Sequence, residues 1–178
     1  MPDKSRKERR DAVIGVLNEA RAMELHAIHQ YMNQHYNLDD MDYGDLAAKV
    51  KLISVDEMRH AECFADRIKE LDGEPVASCD TTVKRGQAVT AIFPFDAALE
   101  DETIDAYNRF LLVCRENGDS TSMKLFESII DQEQLHFNYF DDVREHIDRL
   151  GDVYLAQIAG TPGAANLNSP GFATKLGG

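Results

Sequence analysis

The pattern Glu-x-x-His occurs twice in this 178-residue chain, as Glu57-Met58-Arg59-His60 and as Glu133-Gln134-Leu135-His136. Residues three apart share a face of a helix, so each copy aims a carboxylate and an imidazole the same way. That donor pair suits a divalent transition metal. Each copy also has a carboxylate partner. Glu24 precedes Glu57 by 33 residues, and Glu100 precedes Glu133 by the same 33.

Helices must carry these residues, and the apolar spacing supplies them. From about Ser5 to Leu38, Val13, Leu17, Ala20, Glu24, Ala27, Ile28 and Tyr31 recur at helical intervals. Turn-prone residues from Asn37 to Gly44 break the pattern. A second helix is predicted from about Tyr43 to Leu71, stopping at Asp72-Gly73-Glu74-Pro75. Residues 73–94 lack helical periodicity and carry Gly73, Pro75, Gly86 and Pro94. As an extended connection they can span roughly 70 Å, more than a long helix. A third helix follows from about Phe95 to Glu116 and a fourth from Ser120 to Leu150, with a short fifth from about Asp152 to Ala159. Hairpin, long crossover and hairpin describe an all-α four-helix bundle with one crossover, the layout of ferritin-like folds. Residues 1–160 form that single domain. Residues 161–178, rich in Gly, Pro, Ala and Ser, are expected to be a flexible tail.

Each of the four long helices carries one glutamate within its apolar stripe: Glu24, Glu57, Glu100 and Glu133. Burying an unpaired carboxylate costs several kcal/mol. Four at once would exceed the ~5–15 kcal/mol that stabilises a domain, so they must be protonated, paired or bound to cations. The midpoint of Glu24 and Glu57 falls in the Asp39–Asp42 turn, and that of Glu100 and Glu133 at Glu116-Asn117. Each pair is therefore level across its own hairpin, about 24 Å from the turn. If the hairpins pack in matching register, four carboxylates and two imidazoles converge. Such a set holds two metals with bridging carboxylates, and its nitrogen donors suit iron or manganese better than calcium.

A net charge of −13 argues against nucleic acid as a partner. No apolar run approaches the ~20 residues of a membrane span, and the charged N-terminus has no secretory h-region. Cys63, Cys79 and Cys114 are unpatterned and read as reduced thiols of a cytoplasmic protein. Met58 points about 130° away from the Glu57–His60 bisector, onto an outward face with Lys51, Val55, Glu62, Ala65 and Lys69. Tyr31 and Tyr107 lie two turns beyond Glu24 and Glu100, as packing groups or as donors to a ligand carboxylate. Asp56 precedes the first motif where Gln132 precedes the second, so an Asp56 that orients His136 makes the two metal positions inequivalent. His26, His29 and His35 read as structural or exposed groups.

The chain resembles the di-iron ferritin-like proteins, and most closely the bacterioferritins. The resemblance rests on Met23-Glu24-Leu25-His26-Ala27-Ile28-His29-Gln30-Tyr31, on Asp56-Glu57-Met58-Arg59-His60-Ala61-Glu62 and on Leu150-Gly151-Asp152-Val153-Tyr154-Leu155. It implies iron storage and detoxification by a ferroxidase that oxidises Fe(II) with oxygen or peroxide. Two iron ions per chain would lie between Glu24, Glu57, His60, Glu100, Glu133 and His136, with Glu57 and Glu133 bridging. It further implies Met58 as an axial ligand to a haem shared by two chains, a role for Tyr31 beside the iron, and a hollow homo-oligomeric shell of 24 copies served by an electron-donor protein. Where some bacterioferritins carry an additional histidine five residues before the second-helix glutamate, this chain has Leu52. A rubrerythrin-like peroxide reductase fits less well, because no Cys-x-x-Cys pair is present. A haem electron carrier would leave six intact ligands without use.

Overall fold

The computed structural model describes residues 5–79, 82–161 and 171–173. Five helices follow in order: α1 (Arg6–Asp40), α2 (Gly44–Glu70), α3 (Val89–Glu116), α4 (Ser120–Leu150) and the short α5 (Asp152–Ile158). α1 pairs along its length with α2, and α3 with α4, while α1 also packs on α3. None of the described helices is long and apolar enough to cross a membrane.

Local chemistry sets the helix ends. Ser5 and Glu8 form a reciprocal capping box at the start of α1, with the Glu8 N–H donating to Ser5 Oγ at 3.2 Å and the Ser5 N–H to Glu8 Oε2 at 2.7 Å. Asp119 caps α4 through the Ser122 N–H and also receives two 2.9 Å bonds from Nη2 of Arg67 on α2, tying the second hairpin to the first. Gly118, at φ 75°, makes the left-handed turn between α3 and α4.

α3 begins at Val89 rather than near Phe95, and Pro94 lies inside it. The reason is burial. Ile92 and Phe93 are fully enclosed and Val89 nearly so, which outweighs the one backbone bond that Pro94 cannot donate. Pro94 itself faces solvent.

The crossover climbs along α1, held by side chains rather than by secondary structure. Asn18 bonds the Glu74 carbonyl and the Val76 N–H. Higher up, the Gln30 amide bonds both the N–H and the carbonyl of Lys84. Gln87 Oε1 then accepts from Gln30 and Gln34. The crossover thus delivers α3 to the far end of the bundle, so that α3 runs antiparallel to α1.

The apolar core is in two parts. One surrounds Tyr31, Val50, Ile53, Ile92, Phe93 and Phe140. The other surrounds Leu17, Phe64, Ile68, Tyr107, Phe126 and Ile129. In every long helix the residue numbers between the two clusters are those of the charged layer: 24 on α1, 57 and 60 on α2, 100 on α3, 133 and 136 on α4. Beyond α5, Thr161 is tied to the α1–α2 turn through its hydroxyl, which accepts from the Asp45 N–H at 3.0 Å. Most of the tail expected to be flexible lies outside the described residues. Within it, Gly171, Phe172 and Ala173 are buried.

Candidate metal centre

Glu24, Glu57, His60, Glu100, Glu133 and His136 are each at most 2% exposed. They form two overlapping sets. Glu24, Glu57, His60 and Glu133 bring one donor atom each within 4.8 Å of the others, and so do Glu57, Glu100, Glu133 and His136. Glu57 and Glu133 belong to both sets and sit between them. Glu24 and Glu100 each serve one. The matching register required by the sequence is therefore met.

Both imidazoles turn Nδ1 inward. His60 Nδ1 lies 2.9 Å from Glu57, 3.0 Å from Glu133 and 3.7 Å from Glu24. His136 Nδ1 lies 2.9 Å from Glu133, 3.1 Å from Glu57 and 3.9 Å from Glu100. Nε2 of each ring faces outward to a different group. For His136 it is the Asp56 carboxylate at 3.4 Å, and for His60 it is Gln132 Oε1 at 3.3 Å. The pairing expected between Asp56 and the opposing histidine is present, with a reciprocal partner for His60.

The electrostatics show what the cluster lacks. Burial, and then repulsion from Glu133 and Glu57, pushes the Glu24 carboxyl well above its ordinary range. Burial with Glu57 and Glu133 does the same to Glu100. His60 and His136 are depressed by burial but raised far more by the surrounding carboxylates, so both hold protons. Burial also lifts Glu133, yet the charge of His60 and the hydrogen bond from His136 outweigh it and bring the group down to about 2. At Glu24, Glu100, His60 and His136 the shifts all favour the protonated form, so protons compete for the place of cation charge. Even so, Oε1 of Glu57 and Oε1 of Glu133 accept no hydrogen bond among the described residues. These two oxygens face the inward imidazole nitrogens, His136 Nδ1 at 3.1 Å and His60 Nδ1 at 3.0 Å, without an aligned hydrogen bond, and such a set fits two divalent ions with nitrogen and oxygen ligation.

The tyrosines cross between hairpins. Tyr31 on α1 donates to Glu100 Oε1 on α3 at 2.5 Å, and Tyr107 on α3 donates to Glu24 on α1. Burial first, and the adjacent carboxylates second, raise both phenols well above their ordinary value, so they remain donors. Spacing along one helix left open which ligand carboxylate each tyrosine would serve. Asp96 is a buried carboxyl that the sequence did not single out. It accepts from Gln34 at 2.7 Å, and burial raises it well above its ordinary range.

Met58 is 56% exposed, outside the cluster as expected. Its surroundings are less polar than its own helix suggests. It lines a groove of about 440 Å³ with Leu25, Ile28, Ala61 and Ala65, together with Arg21 and Glu62. Leu25, Ile28 and Arg21 come from α1, a contribution invisible along α2. His26 is buried with Nε2 unpartnered, and neither it nor His29 or His35 belongs to a metal-competent group among the described residues.

Four helices, one crossover and a buried carboxylate–imidazole cluster with two shared glutamates define a ferritin-like protein built for a di-metal centre. The family model of the ferritin-like domain matches residues 14–150. The bacterioferritin of Desulfovibrio desulfuricans is 59% identical over 170 residues, covering 96% of this chain and 95% of that protein. The bacterioferritin of Mycolicibacterium paratuberculosis is 38% identical over 84% of this chain and 95% of its own length. Among solved structures, the X-ray structure of the D. desulfuricans bacterioferritin, described with its diiron site in different catalytic states, superposes with a TM-score of 0.91 over 96% of this chain and 99% of that one, at 59% identity. Mycobacterium tuberculosis bacterioferritin BfrA superposes at 0.78, with 36% identity over 83% of this chain and 93% of that one. The chain belongs to the bacterioferritin family, whose members are iron-storing ferroxidases.

Proposed function

We propose that Glu24, Glu57, His60, Glu100, Glu133 and His136 bind two Fe(II) as substrate, with Glu57 and Glu133 bridging and Glu24 and Glu100 terminal. The sharing of Glu57 and Glu133 by two buried donor sets carries this reading. Each Fe(II) gives up one electron, and dioxygen or peroxide accepts the pair. Binding displaces the protons held on Glu24, Glu100, His60 and His136. Tyr31 then orients Glu100, and Tyr107 orients Glu24. The apolar clusters on either side exclude bulk water, which strengthens every charge interaction within the layer.

The Fe(III) product is stored in the cavity of a cytoplasmic shell of 24 copies assembled from dimers. One four-helix chain has no internal room for mineral, and storage therefore requires such a cavity. Met58 would hold the iron of a haem shared by two chains. An exposed thioether in an apolar groove supports this fit. Thioether ligation raises a haem's potential and suits transfer of electrons from a donor protein to stored Fe(III).

The test is anaerobic Fe(II) titration of the metal-free protein, followed by admission of oxygen. Saturation at two Fe(II) per chain with rapid oxidation is expected. Glu24→Ala and His136→Ala should each lower saturation and slow oxidation at least about tenfold. Unchanged oxidation in both variants would overturn the reading.

A further inference from the structure

We infer that Gly171–Ala173 is a positioning element of the metal centre: seated between α2 and α4, it holds Asp56 against His136 and makes that metal position unlike the one that His60 serves. The inference rests on the di-metal reading above and concerns this chain's own residues.

The contacts are specific. The Ala173 N–H donates to Asp56 Oδ2 at 2.8 Å, the same oxygen that lies 3.4 Å from His136 Nε2. Arg59 Nη1 holds the other oxygen, Oδ1, at 3.2 Å. The Asp56 side chain is 1% exposed although that of Arg59 is 45% exposed, so the segment, with the helices, keeps water from this carboxylate. Phe172 is 6% exposed. Its ring centroid lies 6.1 Å from that of His136 and 5.0 Å from that of Tyr139, with the Lys49 ammonium 5.8 Å away over the ring. It also shares an apolar cluster with Leu52 of α2.

Gly171 shows how close the approach is. A Cβ built there would overlap the Asp56 carboxylate and lie 2.7 Å from Arg59 Nη1. Only glycine lets the backbone pass at this distance. A single added methyl therefore either expels the segment or pushes Asp56 off His136.

Among the described residues the other metal position has no equivalent. Gln132, behind His60, is half-buried and neutral, and its Nε2 is spent on Ser128 of its own helix at 3.4 Å. An outward carboxylate makes an imidazole a stronger ligand and fixes its plane, whereas an amide does so more weakly. A fixed Asp56 thus favours the His136 position, and the C-terminal segment is what completes its fixing.

The experiment uses the assembled full-length protein and two readouts. In the metal-free protein, hydrogen exchange read by mass spectrometry should show the peptide containing Phe172 and Ala173 exchanging at least about tenfold more slowly than an unstructured chain. Co(II) titration followed by d–d absorption should show two unequal steps. Gly171→Ala should release the peptide and weaken the tighter step about tenfold, the low end for losing an outer partner of a metal-bound histidine. A chain ending at Pro170 should behave alike without any steric clash. Light scattering verifies that the variants remain assembled. Fast exchange of this peptide in the unsubstituted protein overturns the inference, as does Co(II) binding unaltered in both Gly171→Ala and the shortened chain. Fewer than two Co(II) per unsubstituted chain would instead sink the di-metal reading, which separates the two failures.

Discussion

Asp56 Oδ2 lies 3.4 Å from Nε2 of His136, behind a buried donor set formed by residues of two other helices together with its own neighbour Glu57. Burial alone would raise the Asp56 carboxyl. The hydrogen bonds it receives from His136 and the Ala173 N–H outweigh that, and it stays below its ordinary value. A permanent carboxylate therefore faces one histidine while a neutral amide faces the other.

Asp56→Asn keeps the shape and removes the charge. The step belonging to His136 should weaken about 10- to 100-fold in a Zn(II) competition titration, while the His60 step changes little. Equal weakening of both steps would show that Asp56 does not act through His136.

Tyr31→Phe and Tyr107→Phe should have matching effects, because the two phenols make equivalent bonds to Glu100 and Glu24. Each should destabilise the metal-free protein by about 1–3 kcal/mol, since a buried carboxyl loses a partner. The measurement is thermal unfolding alongside stopped-flow Fe(II) oxidation. A rate defect confined to Tyr31→Phe would instead indicate electron transfer through that ring.

Metal-free protein should lose stability as pH rises. Glu24 and Glu100 keep protons that an unfolded chain releases near 4.5, and His60 and His136 keep protons released near 6.5. The folded state therefore binds more protons above those values, until its own raised values are passed. Glu133 acts oppositely, adding stability above 4.5 that is lost as pH falls toward about 2. Between about pH 5 and about pH 8 the metal-free Tm should fall, and the gap to the Zn(II)-loaded Tm should widen. Loading divalent ions should release protons from these raised groups, measurable in a weakly buffered titration.

Met58→Leu should abolish haem binding while leaving the shell assembled and Fe(II) oxidation intact, because Met58 lies outside both donor sets. Absorption spectroscopy of the purified variant, beside its elution volume, checks this. An unchanged haem spectrum would remove Met58 as the ligand.

The donor cluster was legible along the chain for a definite reason. Glu24 and Glu57, like Glu100 and Glu133, are equidistant from a turn, and helix rise converts that equality into equal height. The outward aim of Met58 follows equally from helix rotation, and the Asp56–His136 pairing from the placement of Asp56 beside Glu57. Such relations depend on one helix or one hairpin.

Relations that cross between elements were not legible. The Tyr31–Glu100 and Tyr107–Glu24 bonds depend on how α1 lies against α3, which no spacing within either helix encodes. The start of α3 at Val89 depended on burial of Ile92 and Phe93, although the sequence places Pro94 in the non-helical connection. Composition and helical periodicity therefore sufficed for the bundle and its six clustered donor residues, since both are local and repeat. Packing determined which groups stand behind those ligands. It also placed Gly171 against Asp56, more than a hundred residues away, where the lack of a side chain mattered more than any chemistry the residue carries.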